Sequence, residues 1–329
     1  MEVCMEYDFE EERVKKFLRE NSAKKAAVQL PSGLKSYWRE ITETFHSAGV
    51  EPILMGSCYG GCDIADAAAK QMGCDVLVHY GHADIGLKTS LPTLHVEARV
   101  VGCEMEGVKS LLKEMNGEKV GLLTTVQFID YLDTVKKIGR ECGVELLIGA
   151  PGSRTKYPGQ ILGCDFSSAK NLKKKVGVYL YIGTGEFHPL GVSIATGKKV
   201  VAFDPISSAT KEITKEEFLR KRKATITMAA MGEKFGVVTS TKPGQWRIAT
   251  ARRAVEELRK SGKLAELLVV DEITPQAVGD YRFDCLVCAA CPRIPIDDQD
   301  RFEVPIITPW EMKVMLGQAR FSPYQMDEF

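Results

Sequence analysis

Three stretches of the chain run from an apolar, β-type segment directly into a helical one: VQLPSGL at 28–34, LLTTVQ at 122–127 and VVTSTKPG at 237–244. After each of them, further short apolar runs alternate with amphipathic stretches. This alternation is typical of βα units that build parallel sheets. The sequence therefore predicts an α/β protein of three similar domains, each a small parallel sheet flanked by helices.

The predicted repeat rests on the order of the elements, because direct sequence similarity between the three units is faint. Strands are predicted in the first unit at 26–30, 53–56, 76–79 and 93–96, in the second at 120–125, 145–148, 176–182 and 200–203, and in the third at 235–240, 267–270, 285–289 and 305–308. Helices are predicted at 34–47, 63–72, 128–142 and 244–261. The expected domains span residues 1–99, 100–208 and 209–329, and each has an ordinary domain size.

The composition excludes several classes of protein. Of the 329 residues, 44% are apolar and 27% are charged, which argues against a disordered or fibrous chain. Lys plus Arg and Asp plus Glu each total 44, so the chain lacks the overall basic character of nucleic-acid-binding proteins. The acidic N-terminus does not resemble a signal peptide, and no apolar run approaches the roughly 18–20 residues of a membrane span. We therefore expect a soluble cytoplasmic protein with no membrane or nucleic-acid partner. The basic runs at 173–175 and 221–223 are most simply solvated helix ends, with docking of an acidic partner as the alternative for either run.

Ten cysteines are many for a chain in a reducing compartment, where disulfides are rare. Two cysteine runs begin like iron–sulfur motifs and then depart from them. CYGGC at 58–62 has Ala65 where a third ligand would stand, and CLVCAACP at 285–292 has Pro295 where a fourth would stand. Neither run can hold a cluster by itself.

Strand periodicity separates the three cysteines of the second run. Side chains alternate across a strand, so Cys285 and Cys288 are predicted to point to opposite faces as packing residues. Cys291 is predicted at the C-terminal tip of that strand. Ligands of open α/β sheets bind outside the carboxyl ends of the strands, which makes Cys291 the functional candidate.

The same criterion selects one cysteine in each of the other units. Cys62 follows the strand predicted at 53–56, and Cys164 ends the loop YPGQILG at 157–163; both precede helical segments. Cys58 is a weaker fourth candidate. The remaining cysteines are interpreted as structural, or as terminal in one case: Cys74, Cys103, Cys142 and Cys4. Three thiolates from three domains suit a 4Fe–4S cluster with one iron open to substrate, with zinc bound by three cysteines as the alternative.

Four segments resemble one enzyme family: YGGCD at 59–63, PGQILGCDFS at 158–167, GTGEFHPLG at 183–191 and ACPRIPIDD at 290–298. The family is that of the single-subunit, archaeal-type diphthamide biosynthesis enzymes, the 2-(3-amino-3-carboxypropyl)histidine synthases. The segments lie in all three units, and together they are specific. The family commonly has alanine where Gly61 stands here.

The resemblance implies three α/β domains around a central 4Fe–4S cluster held by Cys62, Cys164 and Cys291. It implies that S-adenosylmethionine is the co-substrate, cleaved at its Cγ–S bond in a radical mechanism. The 3-amino-3-carboxypropyl group would be transferred to a histidine of translation elongation factor 2. A homodimer and an external electron donor are also implied. Three cysteines of this chain are not required by the family: Cys58, Cys285 and Cys288.

Four polar side chains near the three cysteines are candidates to bind S-adenosylmethionine: Arg154, Gln160, His188 and Arg293. An arginine can bind the methionyl carboxylate through two hydrogen bonds, and Arg293 is the better placed because it follows Cys291 closely. The simpler interpretations are a surface salt bridge for each arginine and a loop-ordering role for His188. No catalytic residue is predicted beyond the cluster ligands.

Two other functions remain open from the sequence. The first is a dehydratase similar to quinolinate synthase, in which an open iron of a 4Fe–4S cluster would act on a small dicarboxylate. The second is a non-enzymatic scaffold that binds zinc or no metal. Iron and sulfide content separates the scaffold from both enzymes.

Overall fold

The computed structural model describes residues 6–329, so Cys4 lies outside the described part of the chain. Within this part, the strands form three main sheets and one two-stranded ribbon. The main sheets are built from successive portions of the chain, as the three predicted units require. No described helix has both the length and the apolar character that a membrane crossing needs.

The first sheet has four parallel strands in the order β3-β2-β4-β5. A ribbon of β1 and β6 joins the two ends of this region in antiparallel pairing. The elements are β1 (Glu6–Asp8), α1 (Glu11–Glu20), β2 (Lys25–Gln29), α2 (Trp38–Ser47), β3 (Glu51–Leu54), α3 (Asp66–Gln71), β4 (Val76–Tyr80), β5 (Thr93–Val96) and β6 (Arg99–Val101).

The second sheet has the order β11-β10-β9-β7-β8, with β11 antiparallel to its neighbour and the others parallel. Its elements are α4 (Val108–Glu114), β7 (Lys119–Thr124), α5 (Leu132–Glu141), β8 (Glu145–Leu147), α6 (Ser167–Lys170), β9 (Val178–Ile182), α7 (Phe187–Thr196), β10 (Lys199–Phe203) and β11 (Thr210–Ile213). Because β11 lies beyond residue 208, this sheet extends past the expected second boundary. The division into three domains stays a prediction.

The third sheet has four parallel strands in the order β13-β12-β14-β15. The elements are α8 (Glu216–Ala230), β12 (Lys234–Ser240), α9 (Ile248–Lys260), β13 (Leu264–Val270), α10 (Pro275–Val278), β14 (Cys285–Cys288), α11 (Arg293–Asp297), β15 (Ile306–Ile307) and α12 (Pro309–Met315). The fold is therefore α/β with several small parallel sheets flanked by helices, as predicted.

Central strands of all three sheets are buried along their whole length. Every residue of β4, β9 and β14 is buried, which explains why these strands, apart from His79 in β4, are continuous apolar runs rather than alternating ones. In β14, Cys285 packs with the core on one face and Cys288 with the core on the other. The prediction that these two cysteines point to opposite faces and act in packing is confirmed.

Each of the three strand-to-helix turns contains a short 3₁₀ segment that the sequence did not predict. These segments are Ser32–Tyr37, Val126–Tyr131 and Pro243–Gln245, and they precede α2, α5 and α9. Tight 3₁₀ turns are frequent at helix starts. The helix predicted at 63–72 is shorter than expected and begins only at Asp66, with Ala65 as its N-cap. Cys62 therefore lies in an irregular loop before α3.

Candidate metal centre

Cys62, Cys164 and Cys291 line one cavity of ≈ 220 Å³ where the three main sheets meet. Each cysteine lies in a segment that follows a strand and precedes a short helix. The four polar candidates from the sequence also line this cavity: Arg154, Gln160, His188 and Arg293. The fold thus brings together all seven residues predicted for the site.

The loop of Cys62 contacts the turn that precedes α9 in the third sheet. The Gly244 amide donates a hydrogen bond to the Cys62 carbonyl at 2.9 Å, and Gln245 Nε2 lies 3.4 Å from Cys62 Sγ. Lys242 and Asp63 form an ion pair of 2.7 Å, with side chains only 11% and 6% exposed. These contacts hold the loop of the first sheet against the third.

Position 244 accepts only glycine without movement of the backbone. A Cβ atom there would lie 2.5 Å from both Cα and Cβ of Cys62. Such a distance is far inside van der Waals contact, so a larger residue would displace the loop that carries Cys62. The absent side chain at Gly244 is therefore what allows the two segments to meet.

Arg154 links Cys164 to the same turn. Its Nη1 lies 3.8 Å from Cys164 Sγ, and its Nη2 donates a hydrogen bond to the Gly244 carbonyl at 2.7 Å. The guanidinium also stacks on the Phe329 ring, at 3.7 Å from the ring centroid. Arg154 is thus a positioning residue between two sheets and not the exposed salt-bridge partner of the simpler interpretation.

Burial raises the pKa of all three thiols. The pKa of Cys164 rises to about 11, with Arg154 opposing the shift, and the pKa of Cys62 rises although a hydrogen bond from Gln245 opposes it. The pKa of Cys291 rises because of burial and because Cys62 and Cys164 lie nearby. Without a metal these thiols are protonated at neutral pH, and metal binding must release their protons.

The spacing of the three thiols distinguishes a cluster from a single zinc ion. Two Zn–S bonds of about 2.3 Å span at most about 4.6 Å, so cysteines that share one zinc lie close together. In residues 6–329, only Cys58, His79 and His82 place three such ligand atoms within 4.8 Å of one another. At least one pair of the thiols of Cys62, Cys164 and Cys291 therefore lies farther apart than 4.8 Å, which favours the wider donor set of a cluster over a single zinc ion.

The other polar candidates differ in how free they are to bind a ligand. Gln160 is 1% exposed, and its Oε1 already accepts hydrogen bonds from the backbone N–H groups of Lys156 and Tyr157. Arg293 pairs with Asp297 through Nε at 2.7 Å, so its two terminal nitrogens take no part in that contact. Arg293 is therefore better able than Gln160 to take a carboxylate.

His188 lies in the first turn of α7, so its predicted place in a loop is wrong. Burial and, to a smaller extent, the nearby charge of Arg293 lower the pKa of His188 to about 4. The imidazole is therefore neutral at physiological pH. It can donate or accept a hydrogen bond at the cavity wall, but it cannot supply a positive charge there.

Sequence reasoning missed several residues at this site. Gln245, Gly244 and Lys242 belong to the stretch VVTSTKPG and its continuation, which was used only to predict a strand-to-helix turn. The sequence did contain a signal for them, because polar and glycine residues directly after an apolar strand are typical of a binding site at the carboxyl end of a sheet. Gln127, which lines the cavity, follows a strand in the same way.

Comparisons with known proteins agree with this architecture. A family model for diphthamide synthesis proteins matches residues 30–325. The 2-(3-amino-3-carboxypropyl)histidine synthase of Pyrococcus horikoshii is 38% identical over 98% of this chain and 94% of its own length. The protein of the same name from Methanocaldococcus jannaschii is 29% identical over 93% of this chain and 89% of its own length.

A solved structure is similar to this chain over nearly its whole length. The crystal structure of Dph2 from Pyrococcus horikoshii with a 4Fe–4S cluster superposes with a TM-score of 0.91, covering 98% of this chain and 94% of that one at 38% identity. Fold, cavity and sequence therefore agree over nearly the whole length. This chain belongs to the family of diphthamide synthesis proteins.

Proposed function

We propose that this protein catalyses the first step of diphthamide biosynthesis, the transfer of the 3-amino-3-carboxypropyl group of S-adenosylmethionine to a histidine of translation elongation factor 2. The observation that carries the proposal is the convergence of Cys62, Cys164 and Cys291 on one cavity. The names of the relatives support the reaction type, and the cluster in the similar crystal structure supports the cofactor.

Cys62, Cys164 and Cys291 would hold the 4Fe–4S cluster, with one iron left without a protein ligand. When bound, a reduced cluster supplies the single electron needed to cleave the Cγ–S bond of the sulfonium. The three thiols must lose their protons to bind iron, and the guanidinium of Arg154 beside Cys164 favours its thiolate. Gln245 does the same for Cys62 through its hydrogen bond to Sγ.

The cavity walls would select which sulfonium bond is broken. Only the carbon held close to the open iron can react, so positioning determines the product. Arg293 would bind the methionyl carboxylate, while neutral His188 and the amide nitrogen of Gln160 would provide hydrogen bonds. Apolar side chains such as Ile85 and Phe187 line the remaining wall and exclude water. Arg154 would position Cys164 against the turn that contains Gly244, through its contacts with both.

The proposal extends to partners and location. Elongation factor 2 would be the protein substrate, a separate electron donor would reduce the cluster, and the enzyme would act in the cytoplasm as a homodimer. Neither a membrane nor a nucleic acid takes part in this reaction. The acceptor histidine must approach the cavity from outside, so part of its rim must remain open in the dimer.

The products of S-adenosylmethionine test the proposal. The anaerobically reduced protein should release 5′-methylthioadenosine, and with elongation factor 2 it should leave a stable mass addition on one histidine. Release of 5′-deoxyadenosine as the main product would refute the assignment even if the cluster were present. Turnover of a dicarboxylate without cleavage of S-adenosylmethionine would identify a dehydratase, and a colourless protein without iron would identify a scaffold.

A further inference from the structure

A second group of potential metal ligands lies beside the three-cysteine cavity. Three of the five histidines of the chain are packed together, with ring centroids of His79 and His82 5.1 Å apart and those of His79 and His95 5.3 Å apart. Cys58 Sγ lies 4.0 Å from His82 Nδ1. Neither Cys58 nor His79 has a role in the proposed reaction.

Hydrogen bonds determine which nitrogen of His79 carries its proton. Gln29 Nε2 donates to the Asp63 carbonyl at 3.0 Å, and Gln29 Oε1 accepts from the Ala65 amide at 3.1 Å. The orientation of the Gln29 amide is therefore fixed. His79 Nδ1 lies 2.9 Å from the same Oε1, so it must be the protonated nitrogen. The other nitrogen, Nε2, presents a lone pair.

This lone pair faces the other two candidate ligands. His79 Nε2 is 3.0 Å from His82 Nδ1, and both nitrogens lie within 4.8 Å of Cys58 Sγ. A tetrahedral zinc ion with ordinary bond lengths requires N···N and N···S separations of about 3.3 and 3.6 Å. The observed N···N distance of 3.0 Å and N···S distance of 4.0 Å are close to these values. Small side-chain adjustments suffice to bind one ion.

The surroundings are those of a metal site rather than of an ordinary polar pair. Cys58 is 3% exposed and His79 is fully buried. A histidine that binds a metal almost always donates its second N–H to a carbonyl or carboxylate, and His79 does this to Gln29. One thiolate and two imidazoles form a donor set suited to ions of intermediate softness, above all Zn²⁺.

We propose that Cys58 Sγ, His79 Nε2 and His82 Nδ1 bind one divalent transition-metal ion, with Zn²⁺ as the reference ion. On binding, the Cys58 thiol releases its proton to solvent, and the His82 proton resides on Nε2 instead of Nδ1. Three protein ligands leave the fourth position to water. This site is separate from Cys62, Cys164 and Cys291 and does not depend on the proposed reaction.

The site would stabilise the loop that carries Cys62. Cys58 lies four residues before Cys62, whereas His79 and His82 lie at the end of β4 and directly after it. An ion bound to all three would attach the loop to the first sheet. The ion would thus complement the contact that Gly244 makes with Cys62.

The test uses full-length protein in which Cys62, Cys164 and Cys291 are replaced together by Ala, so that no iron cluster competes. Titration with Co²⁺ alone should give one bound ion per chain, with a thiolate-to-cobalt charge-transfer band in the near ultraviolet. Zn²⁺ alone should displace it. Adding Cys58→Ala should abolish the charge-transfer band and weaken binding by about 100-fold or more, because even loss of an outer hydrogen-bond partner costs about 10–100-fold.

Two further variants make the result decisive. Cys285→Ala removes an equally buried thiol from the third sheet and should leave cobalt binding unchanged. His82→Asn preserves a hydrogen-bond donor toward His79 but removes the imidazole ligand, so it should keep the fold, as seen by circular dichroism, and lose the ion. Absence of stoichiometric cobalt binding, or binding that survives both Cys58→Ala and His82→Asn, would overturn the proposal.

Discussion

At the scale of single residues, the cysteines of this chain divide by position along a strand. Cys285 and Cys288 lie within β14 and are fully buried, whereas Cys291 follows the strand and lines the cavity. Periodicity along one strand was enough to predict this difference. The sequence made Cys58 only a weaker fourth candidate, because its neighbours His79 and His82 lie in and directly after another strand, β4.

The three proposed cluster ligands can be tested one at a time. Cys62→Ala, Cys164→Ala and Cys291→Ala should each abolish or impair cluster binding, since each removes the one proposed cluster ligand that its sheet contributes. Iron and sulfide content and absorbance near 400 nm, measured after anaerobic purification, check this expectation.

Cys288→Ala is the matched control for Cys291→Ala. The substitution should remove only packing contacts and lower the free energy of unfolding by about 1–2 kcal/mol. It should leave the iron content unchanged. Full iron in Cys291→Ala together with loss of iron in Cys288→Ala would contradict the assignment.

Glu97 gives a pH-dependent prediction away from the cluster. Its side chain is 3% exposed and accepts hydrogen bonds from Arg99, Lys156 and Tyr157. Burial alone would raise the pKa of Glu97, but these hydrogen bonds outweigh it and hold the pKa below its usual value of 4.5. The carboxylate therefore stabilises the fold above this value, and the contribution is lost as the pH falls through the lowered pKa.

Glu97→Gln should therefore lower the free energy of unfolding by about 1–3 kcal/mol at pH 7, because buried charged partners lose their acceptor. The difference between the natural protein and the variant should shrink as the pH falls below 4.5. Urea unfolding followed by circular dichroism from pH 7 to pH 3.5 measures both effects. A difference that stays constant with pH would show that the charge of Glu97 is not responsible.

At the scale of secondary-structure elements, the turn before α9 controls the position of Cys62. Gly244→Ala would place a methyl group 2.5 Å from Cys62 Cα and force the turn and the loop apart. We expect a loss of iron with a destabilisation of about 1–3 kcal/mol, typical of overpacking. Iron content and thermal unfolding measure the two effects separately.

Gly279→Ala is the matched control for Gly244→Ala, since a Cβ at Gly279 meets no atom within 4 Å. It should retain the full iron content. Equal iron content in the two variants would mean that the close approach of Gly244 to Cys62 does not position the ligand.

Helix α8 shows how packing overrides a simple charge pattern. The basic run at 221–223 was predicted to be solvated, but Arg222 is 3% exposed and forms a 2.6 Å ion pair with buried Glu311 of α12. Arg222 also donates to the carbonyls of Pro295 and Ile306. A buried arginine is tolerated here because a carboxylate and backbone oxygens accept hydrogen bonds from its N–H groups. Neighbouring Lys221 remains exposed, as predicted.

At the scale of the whole molecule, three sheets contribute one cysteine each to a shared cavity. A large protein substrate must reach this cavity. We therefore predict a homodimer, as the family resemblance implies, whose contact lies away from the loops of Cys62, Cys164 and Cys291. Sedimentation at micromolar concentration should show the dimer, and a monomer at that concentration would reject the prediction.

The sequence by itself determined the α/β class, the three successive sheets and the selection of Cys62, Cys164 and Cys291. These features depend on patterns within a single strand and the segment that follows it, and such local patterns are written directly into the order of residues. The recognition of family segments added the expected cofactor and reaction.

Only the tertiary structure decided which distant segments meet. The contact of Gly244 with Cys62, the partner of Arg222 and the grouping of Cys58 with His79 and His82 join residues that are far apart in the chain or on different strands. No local periodicity encodes these distances, because they depend on how separate sheets and loops pack against one another. The cavity and its neighbouring ligand group are therefore properties of the folded molecule.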